Sequence, residues 1–335
     1  MMGSNGQLTV DNDSFYYNRV NAIDINSDDI IIATRTKGIL SYDINSLTND
    51  EHNIHSAYTL KSNFSDDFEA YDILCNVNQD LIYACTHSGQ VFIWQRNMEE
   101  QTHPKLISTI NVSSSQLNRV QLWSNNRIIL GSESDGLFHV DCQSGNVISL
   151  TNNKPKMLGS VLDMKTSDEN IVWTVGELGF IFRWDIRMSS CEKIICPNEI
   201  PSLQRKERWL GCLAVTENWL ATGGGPKLAI FDQRFIKENN FSAIEDDDIF
   251  PVVAIFDYAE TGINLVAGGW SRHGHIKRYN LDGTICERSL STSMAPIQAL
   301  QIKRNPYKLM VVGGNANAID IFFNFNYKSL TLNFN

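Results

Sequence analysis

The chain has 335 residues, a formal net charge of -10, and 42% hydrophobic against 20% charged residues. This balance suits a folded globular protein with a full core and excludes a disordered chain. The acidic surplus argues against a non-specific grip on nucleic acid, which needs positive surface to displace counterions; "QRKER" at 204–208 is the one short basic run.

The opening "MMGSNGQLTVDND" lacks the basic-then-apolar pattern of a secretion signal. No apolar run approaches the roughly 18 residues of a membrane helix. Seven cysteines (75, 85, 142, 191, 196, 212 and 286) are scattered, without a Cys-x-x-Cys pair. The expectation is a chain of the cytosol or nucleus, with no membrane contact and with reduced thiols filling core space.

The predicted elements repeat along the chain. "VNAIDINSDDIIIATRTKGILSYDI" runs from Val20 and "AYDILCNVNQDLIYACTHSGQVFIWQ" from Ala70. "NRVQLWSNNRIILGSESDGLFHVDCQSG" follows from Asn118 and "SVLDMKTSDENIVWTVGELGFIFRWDIR" from Ser160. "WLGCLAVTENWLATGGGPKLAIFDQR" starts at Trp209, "VVAIFDYAETGINLVAGGWSRHGHIKRYNLDG" at Val252 and "APIQALQIKRNPYKLMVVGGNANAIDIFFN" at Ala295. The starts lie roughly 42 to 50 residues apart, the period of a propeller blade.

Each copy opens and closes on runs that alternate with period two, which is strand spacing. The middle runs, such as "DIIIAT" and "DLIYACT", are apolar throughout and read as strands buried on both faces. They end in small residues, as expected where blades converge on an axis. Weaker runs between copies, "YTLKS", "KLISTINV", "NVISLT", "CEKIIC" and "TICERSL", supply a fourth strand. The predicted architecture is all-β: a seven-bladed propeller with four antiparallel strands per blade, one domain over residues 1–335. The closing "SLTLNFN" is expected to supply the last outer strand of blade seven.

"GGGP" at 223–226 follows a strand, as a phosphate loop does. A phosphate loop must then open a helix, whereas "PKLAIFDQR" alternates like a strand. The glycines are therefore read as a hairpin between second and third strands, supplying positive φ.

"FIFRWDIR" carries the Trp184-Asp185 dipeptide of WD-repeat proteins, worn away in the other copies. The stretch "RWLGCLAVTENWLATGGGPKLAIFDQR", with "FRWDIR" before it and "FP" after it, resembles the fifth-blade region of the THO complex subunit 6 family. The terminal "IDIFFNFNYKSLTLNFN" resembles that family's tail. The resemblance implies a non-enzymatic WD-repeat propeller in the nucleus, within the THO part of the transcription-export (TREX) machinery, serving messenger-RNA processing and export. It would dock on the coiled-coil THO subunits and support higher-order assembly. No cofactor, metal or small-molecule substrate is expected from the residues, and the acidic balance disfavours direct contact with RNA. The alternative is a WD-repeat adaptor of another complex, such as a ubiquitin-ligase substrate receptor or a trafficking subunit.

"HGH" at 273–275 puts two imidazoles on one side of a strand, yet lacks further ligands nearby. Asp43, Asp141, Asp185, Asp232 and Asp320 are expected to order turns at the ends of third strands. "EDDD" at 245–248 reads as a solvated loop or a dock for a basic partner. Trp94, Trp123, Trp173, Trp184 and Trp219 read as blade packing. No set of acids at matching blade positions suggests catalysis in the central funnel. The candidate partner-binding residues are Arg208, Trp209, Pro226, Trp270 and Arg272, tryptophans and basic residues at a rim.

Overall fold

A computed structural model describes residues 19–48, 58–60, 69–97, 102–134, 136–150, 159–188, 190–238, 240–244, 246, 248–258, 262–269, 274–286 and 289–334. They form seven four-stranded antiparallel sheets, each made of strands consecutive in the chain. Among the described residues helix is almost absent: one short turn at Ile44–Thr48 and a few 3-10 turns. The fold is a seven-bladed β-propeller.

The first strands are Val20–Ile25, Ala70–Asn76, Leu117–Ser124, Val161–Thr166, Leu210–Val215, Val252–Tyr258 and Ile297–Lys303. They start at or close to the positions read from the repeats. First strands of neighbouring blades touch one another around the whole ring, so they line the axis. The second strands explain the apolar middle runs. Asp29–Thr34, Ile171–Gly176 and Leu309–Gly314 are buried at every residue, because each lies inside its own sheet and between two blades.

The small residues that end the second strands have a specific cause. A Cβ added to Gly131 would lie 2.8 Å from Val161 Cγ1, one at Gly268 2.7 Å from Ile297 Cγ2, and one at Gly313 2.6 Å from Val20 Cγ1. Each glycine faces the first residue of the next blade's first strand. The crowding comes from that neighbouring strand rather than from the axis itself.

The outer strands are less regular than the sequence suggests. In blade six, among the described residues of "TICERSL" (284–290), only its last residue, Leu290, belongs to a strand, Leu290–Ser291, and Ile285 makes one bridge to Tyr279. The turn at Asp282–Gly283 immediately precedes that run. In blade five the outer strand is Phe241–Ala243, set apart from the third strand by a 3-10 segment at Gln233–Glu238 that breaks the alternation.

Blade seven is completed by its own Leu330–Asn333, as expected from the C-terminal pattern. The ring therefore closes between blades seven and one by side chains. Val20, Ile23, Ile25, Tyr42, Leu309, Val311, Ile319 and Phe334 share one buried cluster. Phe334 stacks on Tyr42 with centroids 6.2 Å apart. Lys37 Nζ donates to the Phe334 carbonyl at 2.9 Å, and Lys303 Nζ donates to the Ile25 carbonyl at 3.0 Å.

Phe334→Ala removes a buried ring from the closure and should cost about 3–5 kcal/mol in urea unfolding, and loss of residues 329–335 should prevent folding. Gly313→Ala forces a methyl against Val20 and should cost about 1–3 kcal/mol. A truncated chain with the parent's unfolding midpoint would refute the closure by this tail.

Candidate interaction face and central channel

One end of the barrel is built by a repeated bond. The residue just before the first strand offers its carbonyl to the hairpin between second and third strands. The pairs are Arg35 N to Arg19 O at 2.9 Å, Glu133 N to Gln116 O at 2.9 Å, Glu177 N to Ser160 O at 3.0 Å and Gly225 N to Trp209 O at 2.8 Å. This face therefore presents inter-blade links and hairpins side by side.

The link Cys196–Trp209 crosses this face between blades four and five. Leu203 is fully buried and its carbonyl accepts from Lys227 N at 3.0 Å, which pins the link. Arg205 reaches to the next link: its Nη1 donates to the Asp248 carbonyl at 3.0 Å and its Nη2 to the Asp246 carbonyl. Beyond this anchor Lys206, Glu207 and Arg208 are exposed.

Of the candidate contact residues, Arg208 is exposed, Trp209 half-buried and Pro226 buried. Pro226 thus offers little surface of its own. Trp270 and Arg272 lie outside the described residues. The Trp209 ring lies over two glycines: a Cβ on Gly211 would be 2.5 Å from its Cζ3, and one on Gly224 3.0 Å from its Cε3. Gly225 has no room either, with the Glu207 carbonyl oxygen 2.4 Å from a built Cβ.

The triple glycine is thus explained differently from the hairpin reading. Of the three, only Gly224 has positive φ, at 141°. Gly224 and Gly225 are small because Trp209 and the incoming link pass directly over them, while Gly223 faces Leu228 and the Phe250 carbonyl, each 3.2 Å from a built Cβ. The hairpin glycines at 38, 89 and 179 do sit at φ of 75–77°.

The acids divide into two groups. Asp43, Asp141, Asp185 and Asp232 end third strands and accept backbone N–H bonds from the turn that follows, as expected. Asp320 does not. It lies within Ala318–Phe323, is fully buried, and accepts from Ser293 N at 2.5 Å, which ties blade six to blade seven. The "EDDD" acids are not a free loop where described. Asp246 accepts Lys277 Nζ at 2.7 Å and the Tyr279 hydroxyl at 2.9 Å. Burial opposes its ionisation, but these bonds and the Asp248 N–H outweigh it and hold its carboxyl below the usual range. Glu245 and Asp247 lie outside the described residues.

Trp94, Trp173 and Trp184 are buried in the blades, while Trp123 and Trp219 are half-buried. His273 lies outside the described residues, and His275 is half-buried in a third strand. Among the described residues no three His, Cys, Asp or Glu side chains cluster as metal ligands do.

The central channel holds what the sequence reading missed. The first strands of six blades carry a bulge near their start. Past that bulge, Asp72, Arg119 and Asp163 occupy the same register position in blades two, three and four. The sequence reading found no acids at matching positions; the bulge brings two of them, with an arginine between, into line.

These groups clasp one blade to another. Asp24 Oδ2 accepts Cys75 N at 2.7 Å, Asp72 Oδ2 accepts Val120 N at 2.9 Å, and Asp163 Oδ2 accepts Leu213 N at 2.7 Å. Asn21 and Asn118 donate to the Ala70 and Val161 carbonyls at 2.8 and 2.9 Å. Arg119 Nε donates to Asp163 Oδ1 at 3.1 Å. Burial pushes the Asp72 carboxyl up to about 6, with Arg119 and the Val120 N–H pulling the other way. It raises Asp24 as well, against the N–H bonds of Cys75 and Ile25.

The channel encloses a cavity of about 210 Å³, lined on one side by Asp24, Asp72, Arg119, Asp163 and Lys165 and on the other by Pro251, Val252 and Val253. It is a polar core with structural duties and spare volume.

Comparison with known proteins places the chain as follows. No family model matches it. It is 24% identical over 214 residues to the THO complex subunit 6 homolog of Danio rerio, covering 63% of this chain and 62% of that protein. The THO complex subunit 6 of Drosophila melanogaster is 23% identical over 222 residues, with 64% and 59% covered. That of Homo sapiens is 24% identical over 216 residues, with 62% and 60% covered. The match thus spans about three-fifths of the length of these relatives. Among solved structures, the WD40 β-propeller domain of Doa1 superposes with a TM-score of 0.67 at 12% identity, covering 93% of this chain and 97% of that one. That likeness concerns the fold alone. The chain is similar in sequence to THO complex subunit 6 proteins and in fold to WD40 propellers.

The Asp72 carboxyl gives a pH test. Its folded value of about 6 lies above the ordinary 3.8, so between those values the native state holds a proton that the unfolded chain has released. Its contribution therefore favours folding below this window and is lost as pH rises through it. Asp72→Asn should flatten the fall in stability from pH 4 to 6 relative to the parent, read as the difference between two urea series. Parallel curves would refute the assignment.

Proposed function

We propose that this chain is a non-enzymatic scaffold subunit of a THO complex, acting in the nucleus in messenger-RNA processing and export. The observation that carries this reading is the sequence similarity to THO complex subunit 6 proteins of fish, fly and mammals. The fold supports it, since a WD40-type propeller is rich in loops held on rigid sheets and suited to recognition.

Within that reading, the coiled-coil THO subunits dock on the face that carries the Cys196–Trp209 link. The Leu203 and Arg205 anchors hold this link in one shape, which lowers the ordering cost of binding. Arg208 is exposed beside the half-buried ring of Trp209, a pairing suited to an acidic and apolar helix surface. Arg272 and Trp270 belong to the neighbouring hairpin in sequence and are assigned to the same contact. The acidic net charge disfavours a direct grip on RNA.

The test is purification of the tagged chain from nuclear extract with mass spectrometry of its partners. THO subunits should co-purify. Arg208→Glu combined with Arg272→Glu should cut their recovery about tenfold or more, a loss on the order of 1.4 kcal/mol, without moving the melting temperature. Ubiquitin-ligase or coat subunits in place of mRNA-export subunits would overturn the complex assigned. Unchanged recovery with both reversals would overturn the face.

A further inference from the structure

We propose that the central channel binds a hydrogenphosphate ion, gripped by Lys165 and Arg119 and distinguished from other anions by Asp72. Some hydrogen-bonding groups around the cavity are already used and others are not.

The carboxylates of Asp24 and Asp163 are occupied. Asp24 Oδ1 accepts Ile25 N at 2.9 Å and Gln301 Nε2 at 3.3 Å, while its Oδ2 holds Cys75 N. Asp163 Oδ1 accepts Met164 N at 2.9 Å and Arg119 Nε, while its Oδ2 holds Leu213 N. These groups serve as blade clasps and have little to offer a cation.

The cations are different. A guanidinium carries five N–H donors, and Arg119 uses Nε on Asp163 and one Nη1 hydrogen on the Asn118 carbonyl at 2.9 Å. The remaining donors have no hydrogen-bond acceptor among the described residues. Its side chain is 24% exposed and held in place by those two bonds. Lys165 lines the same cavity and makes no hydrogen bond to the described residues. The spare N–H donors of the polar wall, on two cations and on the Gln121 amide beside them, call for an oxyanion. A cavity of about 210 Å³ has room for a small anion.

Asp72 then decides which oxyanion. Its Oδ2 takes Val120 N, and its Oδ1 accepts no hydrogen bond from the described residues. The charged groups facing it are Arg119 of blade three, Lys165 and Asp163 of blade four and the Cys85 thiol of its own blade. An ionised carboxylate repels sulfate and simple carboxylates, which bring only acceptors. Hydrogenphosphate brings a P–OH that donates to the free oxygen while its other oxygens take the N–H donors. No covalent step is involved.

The experiment is calorimetric titration of the full chain with inorganic phosphate at pH 7.5, with sulfate at matched ionic strength in parallel. Phosphate should bind at least about tenfold more tightly than sulfate. Lys165→Gln, which breaks no bond seen in the fold, should weaken phosphate by a similar factor and leave the unfolding midpoint in place. Asp72→Asn exchanges the free acceptor for a donor and should erase the preference for phosphate over sulfate. The proposal is overturned if phosphate heats are absent, if sulfate binds the parent equally well, or if Lys165→Gln binds phosphate as the parent does. These readouts do not depend on which complex the chain joins.

Discussion

A propeller leaves one edge of every sheet unpaired at its axis. The first strands carry backbone N–H and C=O groups on that inner edge, where no further strand lies beside them. A buried amide without a partner costs about 1–3 kcal/mol. This chain meets the cost with side chains sent from the preceding blade: Asp24, Asp72 and Asp163 to N–H groups, Asn21 and Asn118 to carbonyls. The same bonds fix the angle between sheets, because each joins two blades at their closest approach. Where blades five and six present Cys212, Ala214 and Val253 instead, packing takes over and Cys212 Sγ reaches the Phe250 carbonyl at 3.0 Å. One wall of the channel is consequently polar and the other apolar.

The architecture was legible in the sequence because its causes are local and periodic. Strand alternation and apolar middle runs recur in every blade and hairpin glycines in most, and burial on both faces makes the middle runs unmistakable. The Asp-ended third strands were legible for the same reason, since Asp43, Asp141, Asp185 and Asp232 act within two or three residues of themselves. Asp320 misled because it stands near the end of a third strand yet its partner, Ser293, belongs to the previous blade.

The channel was hidden by a one-residue irregularity. Asp72 and Asp163 match only after the bulges at Ala70–Asp72 and Val161–Asp163 are known, and Asp24 stands two places further along its strand. The triple glycine was placed correctly beside a hairpin, but the reason for Gly224 and Gly225 lay in Trp209 and Glu207 passing overhead. Such close approaches join residues distant from any local pattern. Among the candidate contact residues, Arg208 is exposed and Trp209 half-buried on the link, while nothing in "GGGP" showed that Pro226 would be covered.

The closure of the ring sets the order in which the molecule can be made. Lys37 meets Phe334 across 297 positions of sequence, whereas every sheet is assembled from neighbouring strands. A ribosome delivering this polypeptide from its amino end releases sheets that can form singly. The apolar side of blade one must nevertheless wait, bare, until blade seven has been delivered. The nascent chain thus carries a sticky flank throughout most of its synthesis, and chaperone binding to blade one would be most useful in that interval.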